Sequence, residues 1–265
     1  MMSAHHDAPP PDLRIVLTDS LQPHEEHDSQ RALPLIERLR SEEYMINPPI
    51  VSQLGHDHFV ILDGANRFYA FSQLHYPHIL VQVASYDGGY VELKTWRHII
   101  SRWSAAELLE QLYQLPQLEI HEGHDVHAIA QLLFRDGRSV AVRAAAETTH
   151  ERNAALCEVV RVYQRHAVLH RTALSEPNDI WPLYPEAFGL VVFPSYTPED
   201  ILAAAQYHAF LPPGISRHII HGRALRVNYP MDVLRHPYVS LADKNAQLQR
   251  WMQDKLARRH VRYYA

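Results

Sequence analysis

The sequence is poor in the features that would place it in an oxidising compartment or a membrane. It has one cysteine, Cys157, among 265 residues, so no disulfide can form within the chain. No apolar run reaches the roughly 20 residues that a membrane-spanning helix needs. No signal-peptide pattern is visible either, and the expected setting is the cytoplasm, without membrane contact. Glycine is scarce, at 9 residues, which excludes collagen-like and Gly-rich low-complexity chains. Positive charge is not in excess: 25 Lys and Arg face 30 Asp and Glu, a formal net charge of -5. No global field therefore favours nucleic acid or an anionic surface. Three catalytic signatures are absent as well: a Gly-x-Ser-x-Gly elbow, a Walker-type phosphate loop and the protein-kinase motif set.

What is present reads as globular. Hydrophobic residues make up 46% and charged residues 21%, and the length suffices for one large domain or two ordinary ones. The 20 histidines invite a metal or pH-sensing account, because imidazole both ligates and titrates near neutrality. Position argues against a metal. His5 and His6 fall in the leader, His56 and His58 at a turn tip, and His121, His124 and His127 with Asp125 could converge only on a helix that Gly123 opposes. No metal site of the protein's own is assigned. With a pI near 6.5, solubility should be poorest just below neutrality.

Along the chain, residues 1–11 carry Pro and His without apolar periodicity and read as a disordered leader. A strand is expected over 13–17, then a helix over 29–44 with Leu33, Ile36 and Leu39 on its apolar face, stopped by Asn47-Pro48-Pro49. Strands at 50–54 and 59–62 flank a polar turn. Asp63-Gly64 opens a helix to about His75, and strands at 79–86 and 90–96 follow. Ser104 is a plausible cap for a helix to Leu115, and Pro116 marks the expected boundary between segments 12–115 and 116–265. The second segment shows no clear pattern up to Ala130, then a hairpin about Asp136-Gly137 and a long helix from Glu147 to Arg165. A strand over 189–193 and a helix opened by Thr197-Pro198-Glu199-Asp200 come next. β-runs at 215–220 and through Val227 precede a helix over 241–259.

The sharpest local signal is Ile61-Leu62-Asp63-Gly64-Ala65-Asn66-Arg67. A strand that ends in Asp-Gly and runs into a helix presents unpaired N–H groups, the positive end of a helix dipole and a nearby Arg, all suited to phosphate. Asp63 could hold a metal or orient a hydroxyl. The competing reading is an ordinary capped turn.

Pro23-His24-Glu25, the run FVILDGANRFYAF and ILVQV together resemble the ParB/sulfiredoxin-like domain, whose Asp-Gly-x-His-Arg loop binds nucleotide phosphates. Pro213-Gly214-Ile215-Ser216-Arg217-His218-Ile219-Ile220 and Gly222-Arg223-Ala224-Leu225-Arg226-Val227 resemble the C-terminal signature of free L-serine kinases, and the resemblance extends from about Leu13 to the C-terminal helix. It implies an α+β fold: a ParB/sulfiredoxin-like N-terminal lobe and a smaller α/β C-terminal lobe, with the active site in the cleft between them. It also implies transfer of a phosphoryl group from ATP or ADP, with Mg²⁺, to the hydroxyl of L-serine, giving O-phospho-L-serine for cysteine or siderophore biosynthesis. Glu25 matches the family's catalytic carboxylate and Asp63 the Asp of the loop. Gly64, Asn66 and Arg67 would cradle phosphate, and Trp96, Ser216, Arg217 and His218 would contact serine. The sequence departs from the family pattern at Asn66, where relatives carry His. Sulfiredoxin chemistry is unsupported, since this loop has no Cys. The alternative is a ParB-like, nucleotide-dependent DNA-binding regulator, which would draw on Arg250, Lys255, Arg258, Arg259 and Arg262.

Overall fold

The structure, a computed structural model, describes residues 8–257. Most of the expected leader, with His5 and His6, and the basic positions Arg258, Arg259 and Arg262 lie outside the described residues. The fold is mixed α+β and forms two compact units, Met1–Glu92 with His218–Ala265, and Leu93–Arg217.

In the first unit, β1 (Asp12–Leu17) alternates outward Asp12 and Arg14 with inward Leu13 and Ile15, the period-2 signature of a half-buried strand. It pairs antiparallel with β6 (His78–Val83), which is buried along nearly its whole length. With β2 (Leu21–Pro23), β4 (Ile50–Gln53) and β5 (Phe59–Asp63) they form a five-stranded sheet of order β1-β6-β4-β5-β2. The β2–β5 and β4–β6 pairs are parallel.

Helix α1 (Ser29–Ser41) starts at Asp28, whose carboxylate accepts from the Gln30 amide at 3.2 Å. Its buried face is Ala32, Ile36 and Leu39, whereas Leu33 is 63% exposed, because it lies about 100° round the helix from Ala32. The helix ends at Ser41 rather than Tyr44. Tyr44 belongs to a short strand, β3 (Tyr44–Met45), paired with β15 (Tyr229–Pro230). Helix α2 (Ala65–Gln73) packs beside α1.

The C-terminal segment joins this unit through α7 (Met231–Arg235) and α8 (Leu241–Ala257). Asn245 grips the Ile15 backbone, accepting from its N–H at 3.0 Å and donating to its carbonyl at 2.8 Å. The fully buried Lys244 donates to the carbonyls of His236 (2.7 Å) and Leu234 (3.2 Å) and to His78 Nδ1 (2.9 Å). Burial pulls Lys244 below its usual pKa, and burial followed by the Lys244 charge does the same to His78.

The second unit is built on an antiparallel six-stranded sheet of order β12-β8-β13-β10-β11-β9. Its strands are β8 (Arg97–Ser101), β9 (Leu118–Glu122), β10 (Ala130–Phe134), β11 (Ser139–Ala144), β12 (Val168–Thr172) and β13 (Ala187–Val192). Four helices complete it: α3 (Ala105–Tyr113), capped by Ser104; α4 (Thr149–His166), opened by a Thr148/Glu151 capping box; the short α5 (Pro177–Ile180); and α6 (Pro198–Gln206), capped by Thr197 with Asp200. Cys157 is buried in α4. The predicted hairpin at Asp136-Gly137 joins β10 to β11. His121 lies on β9, a strand, and among the described residues no group of three or more His, Cys, Asp or Glu could hold a metal ion.

Two strands carry the chain from one unit to the other, β7 (Val91–Thr95) outward and β14 (Ser216–Ile220) back, and they pair as a ribbon. The units therefore do not coincide with the segments 12–115 and 116–265. Pro116 lies just beyond α3, which ends at Tyr113, but separates no cores: β8 before it pairs with β12 and β13 far beyond, and the described residues from 218 on belong to the unit of the N-terminal sheet. The second expected β-run, through Val227, is irregular. Arg226 and Asn228 adopt left-handed φ of 53° and 55°, a backbone no strand continues through.

Candidate functional site

In the first unit the chemistry gathers where β5 hands over to α2. Asp63 ends the strand, and Gly64 caps the helix with φ 102° and no side-chain cap. That left-handed conformation suits glycine, and a Cβ there would come within 3.0 Å of Pro49 and 3.1 Å of Arg67 Nη2. Arg67, one turn on, reaches Asp63 Oδ2 with Nη2 at 3.4 Å and donates through Nη1 to the Asn47 carbonyl. Burial draws the Arg67 pKa below its ordinary value. Asp63 opposes the shift, and the charges of Arg223 and Arg38 add to it. Asn66 accepts from the Asp28 amide at 3.0 Å, so its carbonyl oxygen fastens the N-cap of α1 to the loop and leaves its Nδ2 for another partner.

Pro23, His24 and Glu25 follow β2, the neighbour of β5. His24 is buried; its Nδ1 donates to the Ile61 carbonyl at 2.6 Å, and its Nε2 lies 3.7 Å from Glu25 Oε1. The Glu25 side chain is 13% exposed. The His24 ring meets His218 edge to face at 5.5 Å, and His218 Nε2 lies 2.6 Å from the Tyr86 hydroxyl. Burial, and then His24, lower the His218 pKa to about 4, against the opposing pull of Glu25, Asp63 and the Leu62 backbone. His218 is therefore neutral throughout the pH 6–8 range in which an unperturbed imidazole titrates. Of the residues singled out from sequence, Glu25, Asp63, Gly64, Asn66, Arg67 and His218 thus fall in one unit about one strand–helix junction.

The others belong to the second unit or its end of the ribbon. Trp96 follows β7, its N–H donating to the Ile215 carbonyl at 2.8 Å. The Arg217 guanidinium lies 4.6 Å from the Trp96 ring centre, a cation–π distance. Both line a cavity of about 260 Å³ with Lys94, Arg97, Ser195 and Tyr196, among others. No acidic residue lines it, and the Arg97 Nε is buried without a hydrogen-bond partner. Ser216 is buried on β14, so it is not an open hydroxyl beside His218.

Sequence reasoning missed Arg223, whose Nη2 contacts Asp63 Oδ2, and Tyr86, Lys94 and Arg97. Arg223 stood in a quoted motif, but nothing local indicates a partner 160 residues away. Lys94 and Arg97 flank Trp96, and that short basic–aromatic cluster was the available signal.

The architecture is that of solved free serine kinases. A variant of a free serine kinase in complex with AMP superposes with a TM-score of 0.74 at 16% identity, over 85% of this chain and 95% of the other. C-terminally truncated SbnI from Staphylococcus aureus gives 0.73 at 18%, over 92% and 97%. In sequence, the chain is similar to particular enzymes of that name. The ATP-dependent L-serine kinase SbnI of Staphylococcus aureus is 21% identical over 254 residues, 92% of each chain. An ATP-dependent L-serine kinase of Staphylothermus marinus is 34% identical over 99 residues, which span only 39% of that protein. No family model matches. The resemblance read from the motifs is the one these comparisons return.

Proposed function

We propose that the protein is a free L-serine kinase that transfers a phosphoryl group from ATP, or from ADP, to the serine hydroxyl and releases O-phospho-L-serine. The observation that carries this reading is the alignment with SbnI over 92% of both chains. The junction of β5 and α2 supports it, with a carboxylate and two guanidiniums at a left-handed glycine turn.

In the reaction an O–P bond forms to the serine Oγ, the O–P bond to the nucleotide breaks, and the hydroxyl proton is taken up by a base. Catalysis of this kind rests on alignment and charge neutralisation more than on covalent help. Glu25, oriented beside the backbone-anchored His24, is the base. The Gly64 and Ala65 backbone, Asn66 Nδ2 and Arg67 hold phosphate oxygens. Magnesium ordinarily binds through one or two carboxylates with phosphate and water completing its shell, and the 40%-exposed Asp63 carboxylate fits that role. Bound there with the nucleotide, the ion would offset phosphate charge.

The serine carboxylate is assigned to the acid-free cavity of Arg217, Arg97 and Lys94, with Trp96 against the small side chain. This moves the carboxylate contact away from Ser216, which is buried, and from His218, whose Nε2 is engaged by Tyr86. No observation singles out the DNA-regulator reading; of its basic residues, Lys255 lies 5.2 Å from the Trp251 ring on α8.

Incubation of the purified protein with L-serine, MgCl₂ and ATP or ADP, followed by mass spectrometry, is expected to yield phosphoserine with at least one nucleotide. No product with either overturns the reading.

A further inference from the structure

The Asp63 carboxylate carries more positive charge than it can balance. Its Oδ2 receives Arg67 Nη2 at 3.4 Å and also Arg223 Nη2, and Arg38 is close enough to be felt at Arg67. One carboxylate oxygen thus faces two guanidiniums, so Asp63 alone does not balance both. The Arg223 fork is also only half used: its Nε is buried and has no hydrogen-bond partner. A buried guanidinium N–H without an acceptor is costly, and a folded chain tolerates one where a ligand supplies the acceptor. Glycine at 222, with φ 74°, turns the chain immediately before Arg223. The Ala224 amide donates to Gln82 Oε1 at 2.8 Å, while Gln82 Nε2 donates to the Gly222 carbonyl at 3.1 Å. The backbone on both sides of Arg223 is therefore pinned to β6, so the side chain is presented from a fixed base.

We propose that Arg223 is a phosphate-binding residue, a second guanidinium that works with Arg67 to hold the oxygens of a polyphosphate chain beside Gly64. Its Nε and Nη groups form a planar donor edge of the kind that binds phosphate bidentately, which a lysine point charge cannot reproduce. Asp63 contacts part of that edge, and a bound polyphosphate would offer an oxygen to the Nε that has no protein partner. The identity of the polyphosphate as a nucleotide rests on the kinase reading above, whereas the anion clamp itself does not.

The test is calorimetric titration of the full chain with inorganic tripolyphosphate and, separately, ATP, for wild type, Arg223→Gln and Arg223→Lys, alongside thermal melts and phosphoserine assays. Wild type is expected to bind tripolyphosphate. Arg223→Gln should bind both ligands about 10- to 100-fold more weakly, the scale of a charge-assisted pair, and Arg223→Lys should recover only part of that loss. The KM for ATP should rise with the dissociation constant while the KM for serine stays put, a split that a merely structural role would not produce. Should Arg223→Gln fail to fold, Arg223→Lys decides: unchanged melting with weaker tripolyphosphate binding supports the clamp, and wild-type affinity overturns it. Wild type that does not bind tripolyphosphate also overturns it. Arg223-dependent tripolyphosphate binding without phosphoserine would sink the kinase reading and leave the clamp standing. Phosphoserine formation with affinities indifferent to Arg223 would do the reverse.

Discussion

Both units gather arginines, but they neutralise them differently. At the β5–α2 junction Arg67 and Arg223 converge on the Asp63 carboxylate. In the cavity of the second unit Arg217 lies over the Trp96 ring, and no acidic side chain lines the wall. A carboxylate between guanidiniums is an exchangeable partner. It can accept a cation that arrives with a ligand, and it frees the arginines for that ligand's oxygens, as suits a phosphate chain carrying magnesium. An aromatic face holds a guanidinium in place without cancelling its charge, which suits a small anion that brings no metal, such as an amino-acid carboxylate. Of two cationic sites in one chain, the proposed reading gives the one furnished with an acid to the phosphoryl donor and the one without to serine.

Substitutions can break this division or sharpen it. The largest effect is expected from Glu25→Gln, which should lower kcat by about 10²- to 10⁴-fold, the contribution of a general base, while leaving ATP binding intact by calorimetry; an unchanged kcat removes Glu25 as the base. Next come two substitutions that should act in opposite columns of a KM table. Arg97→Leu should raise the KM for serine by about 10- to 100-fold, the scale of one charge-assisted contact, and leave the KM for ATP alone. Arg67→Gln should do the converse. If either shifts both constants equally, the assignment of carboxylate and phosphate to separate units fails.

A smaller effect concerns pH. His218 has a folded pKa of about 4, below its ordinary 6.5, so on acidification the unfolded chain takes a proton that the folded chain refuses. The stability this contributes is complete above about pH 6.5 and is lost as the pH falls toward 4. The loss should reach about 3 kcal/mol, from roughly 1.4 kcal/mol per pKa unit. Urea titrations at pH 7, 6, 5 and 4 should show this decline, and His218→Gln should flatten it; equal slopes in the two proteins would contradict the assignment. Between pH 6 and 8 kcat should carry no step from His218, whose pKa lies well below that range.

The two regions also differed in how far they could be read from sequence. The junction was legible because its main parts are contiguous: Asp63, Gly64, Asn66 and Arg67 lie within five residues, and strand, turn and helix signals agree about them. Its remaining parts were not, since Arg223 reaches Asp63 only because Gly222 and Gln82 fix a distant loop on β6. The cavity was less legible still. It is lined by β7, β8, β13 and residues near 175 and 196, and β8 went unread because it follows Trp96 directly, where the apolar pattern looks like a continuation of β7. The same gap explains the domain boundary: without β8 and its partner β12, Pro116 looked like a division between cores. The histidine count misled for a related reason. His98, wholly buried, lies 2.7 Å from the Tyr163 hydroxyl and donates to the Gly214 carbonyl at 3.1 Å, a packing role that composition does not distinguish from ligation.

The most direct test of the central claim follows the transferred atom. Wild-type protein is incubated with ATP labelled at the γ-phosphate, Mg²⁺ and L-serine, and the products are separated. The account predicts label in O-phospho-L-serine in step with loss of ATP, and no labelled amino acid when L-alanine, which lacks only the side-chain hydroxyl, replaces serine. Label confined to inorganic phosphate, or to the protein itself, would contradict it.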